Sequence, residues 1–415
     1  MDAFDRPALS RRRYLWSLVA AGGLSGLSAC LDATGEPSVP TGDTETLPVR
    51  QHAWNAFLET DDSGNHVPPE HHVLVALRLT ATPDRAVREQ VETAFQSLEA
   101  AYAWKSEGLL FTVGYTPNYF HRIGSAPISE PDALTSMESP AFDEYDALVH
   151  LASDHPSVVL EAEEALFGEI RSPNGVEMEA TLEGVFEPAA PRRTGFVAPG
   201  LPATHTNLEG VPDAVPDEAP FFMGFRSGFA ESQAPEDRVT IRDGPFEGGT
   251  TMHVSTLDLQ LKTWFEQDSH YQRVAKMFSP EHADEDAVGE IGETLGDATG
   301  VAGEVTDSTA EDARRRGMVG HAQKAARARD DDGTPPLLRR DFNTVDGETP
   351  GVHFVSCQRA IDEFVRVRDA MTGADLAGSG VGQRLNNGIL QYIFVQRRGN
   401  YLLPPRPKRA LPTTE

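Results

Sequence analysis

Thirteen histidines, two cysteines and several clusters of carboxylates are the groups in this chain that could hold a metal or move a proton. His71 and His72 follow Glu70, a set of metal-ligating types, and they open a run of β-forming residues. Adjacent side chains on a strand point to opposite faces, so the pair is not expected to share an ion. Asp330, Asp331 and Asp332 offer three carboxylates to a cation but lack the spacing and terminal glutamate of a calcium loop. A solvated turn before Pro335 is the expectation there. Cys30 and Cys357 are too few for a multi-cysteine zinc site. The strings GxxxxGK[ST], GxSxG and HExxH do not occur, so nucleotide hydrolysis, serine hydrolysis and zinc proteolysis lose their usual sequence support.

The elements that must position any site are legible as periodic segments. The chain has 415 residues, enough for two or three domains of roughly 150 residues. Its composition of 39% hydrophobic and 24% charged residues argues against coiled coil, collagen and global disorder. Strands are expected at His72–Thr80, Gly108–Tyr115 and Asp146–Ala152, with helices at Val87–Tyr102 and Pro156–Phe167, and Glu179–Phe186 closes this set. A second set follows a Pro-rich connection. It comprises strands at Phe221–Phe225, Thr251–Leu259, Val352–Cys357 and Leu390–Val395, and helices at Leu261–Phe278, part of Glu311–Arg329, and Ala360–Met371. The repeated order β, α, β, β, α, β predicts an α+β chain of two ferredoxin-like halves, packed sheet against sheet as antiparallel sheets with peripheral helices. The halves are placed at 69–187 and 221–405, joined by 188–220. An acidic insertion at 279–312, with eleven acids and neither Lys nor Arg, is expected to be solvated. Residues 31–68 are expected to be an acidic tether and 406–415 a tail.

The formal charge of −28 arises from 64 acids against 36 bases, of which five are Lys. Most of this surface would repel a phosphate backbone, so nucleic acid is not an expected partner. Acid in excess with Lys nearly absent is the usual look of a protein from a high-salt medium, where screening makes self-repulsion tolerable. Near the start, Ser10, Arg11, Arg12, Tyr14 and Leu15 resemble the twin-arginine export motif, and the apolar stretch Leu15–Leu27 is too short for a permanent span. Leu27, Ser28, Ala29 and Cys30 resemble a lipobox, with Cys30 as the acylated residue. Residues 1–30 therefore read as a twin-arginine signal with lipobox. The expectation is a chain handled by the twin-arginine export machinery and either lipid-anchored on the outer face of the cytoplasmic membrane or secreted.

Several strings, in order, carry a resemblance. They are Leu109–Tyr115 with Phe120, GFRSGF at Gly224–Phe229, GGTTMHV at Gly248–Val254, and Trp264–Lys276 with Arg273. GHAQKA at Gly320–Ala325, LLRRDFN at Leu337–Asn343, GVHFVSCQ at Gly351–Gln358 and NYLLPP at Asn400–Pro405 follow. Together they resemble the dye-decolourising (DyP-type) haem peroxidases over roughly residues 70–405. The resemblance implies haem b in the C-terminal half, with His321 as axial ligand to the iron and Arg273 and Arg340 as haem-pocket cations. Arg339 matches the family's distal arginine, whose guanidinium stabilises charge on the leaving oxygen of a peroxide. A structural alternative has Arg339 and Arg340 neutralising haem propionates or pairing with Asp341. The implied partners are hydrogen peroxide and a reducing substrate, and association into a homo-oligomer is left open.

One departure bears on activity. The family's GxxDG motif supplies an aspartate, whereas this chain reads Gly224, Phe225, Arg226, Ser227, Gly228. A serine hydroxyl has no accessible pKa for acid–base work. Ser227 therefore occupies the distal-acid position with reduced competence, and Glu231 and Asp237 are weak substitutes. The alternative this raises is a haem-binding or haem-delivery lipoprotein without efficient peroxidase activity.

Overall fold

The computed structural model describes residues 39–414, apart from residues 348 and 377. In the N-terminal half, strand β1 (His71–Leu79) leads into helix α1 (Arg85–Ala101), then β2 (Leu110–Tyr115), β3 (Ala147–Ser153), α2 (Pro156–Leu166) and β4 (Arg193–Phe196). Helix α1 starts where Asp84 accepts a hydrogen bond from Val87 N. Its stripe of Val91, Phe95 and Leu98 is fully buried, each side chain contributing about 1.5–3 kcal/mol by leaving water. The C-terminal half repeats the path with β5 (Thr250–Leu259), α3 (His270–Met277), α4 (Thr309–Arg316), α5 (His321–Ala326), β6 (Phe342–Thr344), β7 (Gly351–Gln358), α6 (Ile361–Thr372) and β8 (Ile393–Leu403).

Eight strands close on themselves in the order β2-β3-β1-β4-β6-β7-β5-β8, with β8 returning to β2. Every neighbouring pair in the ring is antiparallel, and the strand order inside the first half, 2-3-1-4, recurs in the second as 6-7-5-8. The seams are short, Phe196 opposite Asn343 and Leu402 opposite Tyr115. At the second seam Gly114 lets the chains approach, because a Cβ there would lie 2.7 Å from Leu403 Cδ1 and 2.9 Å from Tyr401 Cβ. Strand β1 is buried on both faces. Val73, Val75 and Leu77 pack with the α1 stripe, while Leu74 and Ala76 join Leu148, Val254, Phe342 and Tyr401 in a separate cluster. His72 bonds His150 across the sheet at 2.9 Å, and no cluster of metal-ligating side chains occurs among the described residues.

Several expectations are corrected. Residues 31–68 are not a free tether over their described part, because Trp54 is 2% exposed and Gln51 bonds Val113 and Pro404. The tail packs as well. Leu411 is fully buried, and Arg409 pairs with Glu92 and Glu99. The acidic insertion is partly core: Val288 and Val301 are buried, and Thr309 of α4 with them. Its apolar residues sit among its acids and bury while most carboxylates face water. Glu179–Phe186 forms no strand over most of its length, and the fourth place in the half is taken by β4. Phe221–Phe225 is a turn, with Gly224 N donating to Phe221 O and Phe222 N to Asn343 Oδ1. The helix expected over Leu261–Phe278 breaks at Asp268, where Ser269 caps α3 and exchanges hydrogen bonds with Gln272. Residues 1–38, which carry Arg11, Arg12 and Cys30, lie outside the described residues.

Candidate functional site

A cavity of about 280 Å³ opens in the C-terminal half, near the lower end of the ~300–1,000 Å³ usual for ligand pockets. Its walls are mainly apolar, with Phe225, Leu257, Phe278, Val352 and Ile389 among them, and His321, Ser227, Arg339 and Asp341 also face it.

His321 is the first residue of α5, and three contacts set its position. Gly320 N donates to Gln323 Oε1 at 3.1 Å, which caps the helix. Gln323 Nε2 in turn donates to the buried Asp312 Oδ2 of α4 at 2.7 Å and to Val305 O at 2.8 Å. Lys324, fully buried, donates its Nζ to Asn387 and to Met371 O at 2.6 Å, tying α5 to the 387 loop. That loop lies against the histidine at Gly388, where φ is +61° and a Cβ would fall 2.9 Å from His321 N. Neither ring nitrogen of His321 has a hydrogen-bond partner among the described residues, and the ring is half-buried. Burial, with positive charge from Lys324, Arg339 and Arg368, pushes its pKa down to about 3. It is therefore a neutral imidazole with its ring nitrogens unengaged, the form that ligates a metal.

Arg339 and Ser227 come together as the sequence suggested. Arg339 Nη1 donates to Ser227 Oγ at 3.1 Å and Nη2 to Ser232 Oγ at 3.3 Å, while the Arg339 backbone N–H is held by Gln233 Oε1 at 2.8 Å. The guanidinium is thus aimed by two hydroxyls that take no charge from it.

Asp341 is the group the sequence reading undervalued. The sequence offers it only as a partner for the arginines, yet it faces the same cavity with its side chain 11% exposed. Burial raises its pKa from 3.8 to about 6, against the lowering effects of Arg339, of the Val355 N–H and of Arg340. Its Oδ1 accepts from Val355 N at 3.0 Å, and its Oδ2 lies 3.8 Å from Arg339 Nη1. Oδ2 is thus the atom left to exchange a proton. The local signal is its place directly before the fully buried strand β6.

Other expected site residues lie elsewhere. Arg273 is not on the cavity wall; its Nη1 donates to Asp268 O and its guanidinium sits 4.9 Å over the Phe265 ring. Arg340 faces a neighbouring chamber rather than this cavity. Asp237 pairs with Arg50 at the surface, and neither it nor Glu231 lines either space.

Solved structures with this chain path include DyP-type peroxidases. The DyP-type peroxidase from Cellulomonas bogoriensis superposes with a TM-score of 0.57 at 19% identity, covering 89% of this chain and 96% of its own. The dye-decolorizing protein from V. cholerae gives 0.54 at 12% identity, with 85% and 97% covered. DtpA from Streptomyces lividans, solved as an oxyferrous/water mixed complex, gives 0.54 at 18%, with 84% and 93% covered. The fold is that of the DyP-type peroxidases. No curated protein matches the sequence. A family model matches residues 69–405, and the chain belongs to that family, DUF7405, a family of unknown function.

Proposed function

We propose that the protein is a haem b-dependent, peroxidase-like enzyme that reduces hydrogen peroxide with electrons from a reducing substrate. The observation that carries this reading is His321, a neutral imidazole without a hydrogen-bond partner among the described residues, on the wall of an apolar cavity that also holds Arg339 and Asp341. A porphyrin needs such walls, one ligating nitrogen and fixed donors nearby, and the residues present fit it. Haem, when bound, supplies the redox chemistry at the O–O bond. Asp341 takes the proton of the arriving peroxide at Oδ2 and returns it to the departing oxygen. A pKa of about 6 suits both steps near neutral pH. Arg339 donates to the oxygen on which negative charge develops, and it cannot lose its own proton. Ser227 Oγ accepts from Arg339 Nη1 and keeps the guanidinium fork in place.

The test is an absorption spectrum of the purified protein supplemented with haem. A Soret band is expected for the wild type and a lost or displaced one for His321→Ala. An unchanged band in that variant contradicts the ligand assignment. A second reading rests on Ser227 standing where a carboxylate is expected: a haem-binding or haem-delivery protein without efficient turnover. It predicts the same band with no peroxide-driven dye oxidation.

We further infer two ferredoxin-like halves, the second over 221–405 and the first extended beyond 69–187 to take in β4 (Arg193–Phe196) from the Pro-rich connection, and the strand order shared by the two sets supports this. Export through the twin-arginine route, with Cys30 as lipid anchor, is proposed from the sequence motif alone. No helix among the described residues is long and apolar enough to cross a membrane. Mass spectrometry of the processed N-terminus tests the anchor, and an unmodified Cys30 there excludes it.

A further inference from the structure

Beside the cavity lies a second, larger space of about 480 Å³, which shares Arg226, Ser227, Phe229, Arg339 and Asp341 with it. Its outer wall is built by residues 55–68, the stretch expected to be a tether. That wall is a fixed loop: Asp61 Oδ1 accepts from Ser63 N and Asn65 N, Asn65 Nδ2 donates to Gly296 O, and Asn65 Oδ1 accepts from Ala230 N.

Arg340 dominates the interior. Its side chain is only 9% exposed, and its guanidinium lies 5.6 Å over the Trp54 ring. Among the described residues this fork of donors meets two acceptors, Asn55 Oδ1 at 2.6 Å and, marginally, Arg339 O at 3.4 Å. The carboxylate of Glu236 is 3.9 Å away and already accepts from Asn55 N at 2.8 Å. No nitrogen of Arg340 is both fully buried and without a partner among the described residues, so its remaining donors open on the chamber, where an anion can take them. Arginine's planar fork matches a carboxylate in two-point fashion. Arg226 and Arg339 add positive charge, in a protein whose overall charge is −28. Asp61 is occupied by its own loop and Asp341 lies beside Arg339. Leu58, Val67 and Leu338 give the remaining wall an apolar stretch, beside the polar His66 and Gln233.

The geometry points to a binding site for a small amphipathic carboxylate, its charged end on Arg340 and its apolar body along the wall, next to Ser227, Arg339 and Asp341. Its service as a co-substrate site rests on the peroxidase reading; its capacity to bind a carboxylate does not. The carboxylate could also come from a haem propionate, and the experiment separates the two sources.

Benzoate is titrated calorimetrically into the full-length protein, first as purified and then after saturation with haem, with benzyl alcohol as the neutral control. Saturable benzoate binding in both forms is expected, with no binding of the alcohol. Arg340→Gln is expected to weaken binding at least tenfold. Asn55→Asp, on the loop, places a carboxylate against Arg340 and is expected to do the same without disturbing the buried arginine. Equal binding of alcohol and benzoate, or unaltered affinity in Asn55→Asp, overturns the site. Binding that vanishes on haem saturation assigns Arg340 to a propionate and overturns it too. Absence of a Soret band would instead remove the peroxidase reading while leaving the carboxylate site standing.

Discussion

Replacing Asp341 by Asn should make the protein more stable and less active at once. Asn is nearly isosteric and can still accept from Val355 N, so packing is kept while the titrating proton is lost. The pKa of Asp341 is raised from 3.8 to about 6, so between these values the folded state binds a proton that the unfolded state releases. Stability contributed by this group is present below about pH 4, is lost as pH rises through about 6, and is absent above it. Two pKa units at ~1.36 kcal/mol each make the penalty about 3 kcal/mol as an upper figure at neutral pH. Thermal unfolding from pH 4 to pH 8 should therefore show Asp341→Asn gaining on the wild type as pH rises, with the two curves converging in acid. Peroxide-driven dye oxidation, measured on the same samples, should fall by about 10²–10⁴-fold. The wild type should lose rate as pH drops through about 6, where Asp341 can no longer accept a proton, and the variant should lack that limb. A stability difference that is constant across pH, or an acid limb that persists near 6 in Asp341→Asn, refutes the assignment of the proton to this carboxylate.

Three further outcomes are expected. Gly388→Ala forces a Cβ onto the His321 backbone in a left-handed conformation, so it should cost about 1 kcal/mol or more and weaken haem retention, read as a reduced Soret absorbance. Full haem occupancy in that variant would show that α5 tolerates the shift. Arg339→Lys keeps the charge but cannot reach Ser227 and Ser232 together, so turnover should drop about 10²-fold with the Soret band in place. Turnover equal to wild type would restrict Arg339 to a structural part. Gln323→Leu removes the link from α5 to Asp312 and leaves a buried carboxylate short of a donor, at a cost of about 1–3 kcal/mol in denaturant unfolding. An unchanged midpoint would mean that Arg316 and Ser308 suffice to hold Asp312.

Apolar, β-branched runs were enough to find β1, β2, β3, β5 and β7 to within a few residues, and helical spacing was enough for α1, α2 and α6, because the strands are buried along most of their length and each helix buries one stripe. The pattern failed where burial depends on partners distant in sequence. Trp54 and Gln51 look like members of a polar leader until Val113 and Pro404 are seen to receive Gln51 and the His150 ring to receive Trp54. In 279–312 the acids outnumber the apolar residues, but the few apolar ones and Asp312 face inward, and charge density along a sequence does not report facing. Site legibility followed the same division. His321, Arg339 and Ser227 were found through local strings and do share one cavity. Asp341 was not singled out, since the neighbouring arginines suggested an ordinary ion pair. Its significance lies in desolvation, which only the enclosing walls supply. Arg273 and Arg340 were grouped with the cavity by their strings, whereas the break at Asp268 turns one away and the 55–68 loop encloses the other.

The return of β8 to β2, with residues 409–411 sealed beneath it, carries a consequence for biosynthesis. Tyr115 OH donates to Arg409 O at 2.7 Å and accepts from Leu411 N at 3.0 Å, so a wall of the first half is finished by residues almost three hundred positions later. On the ribosome, the leading segment cannot reach its final packing until residues 409–411 have been translated. Nascent chains should therefore stay sensitive to protease until residues 409–411 have emerged, and acquire resistance in a single step once they do.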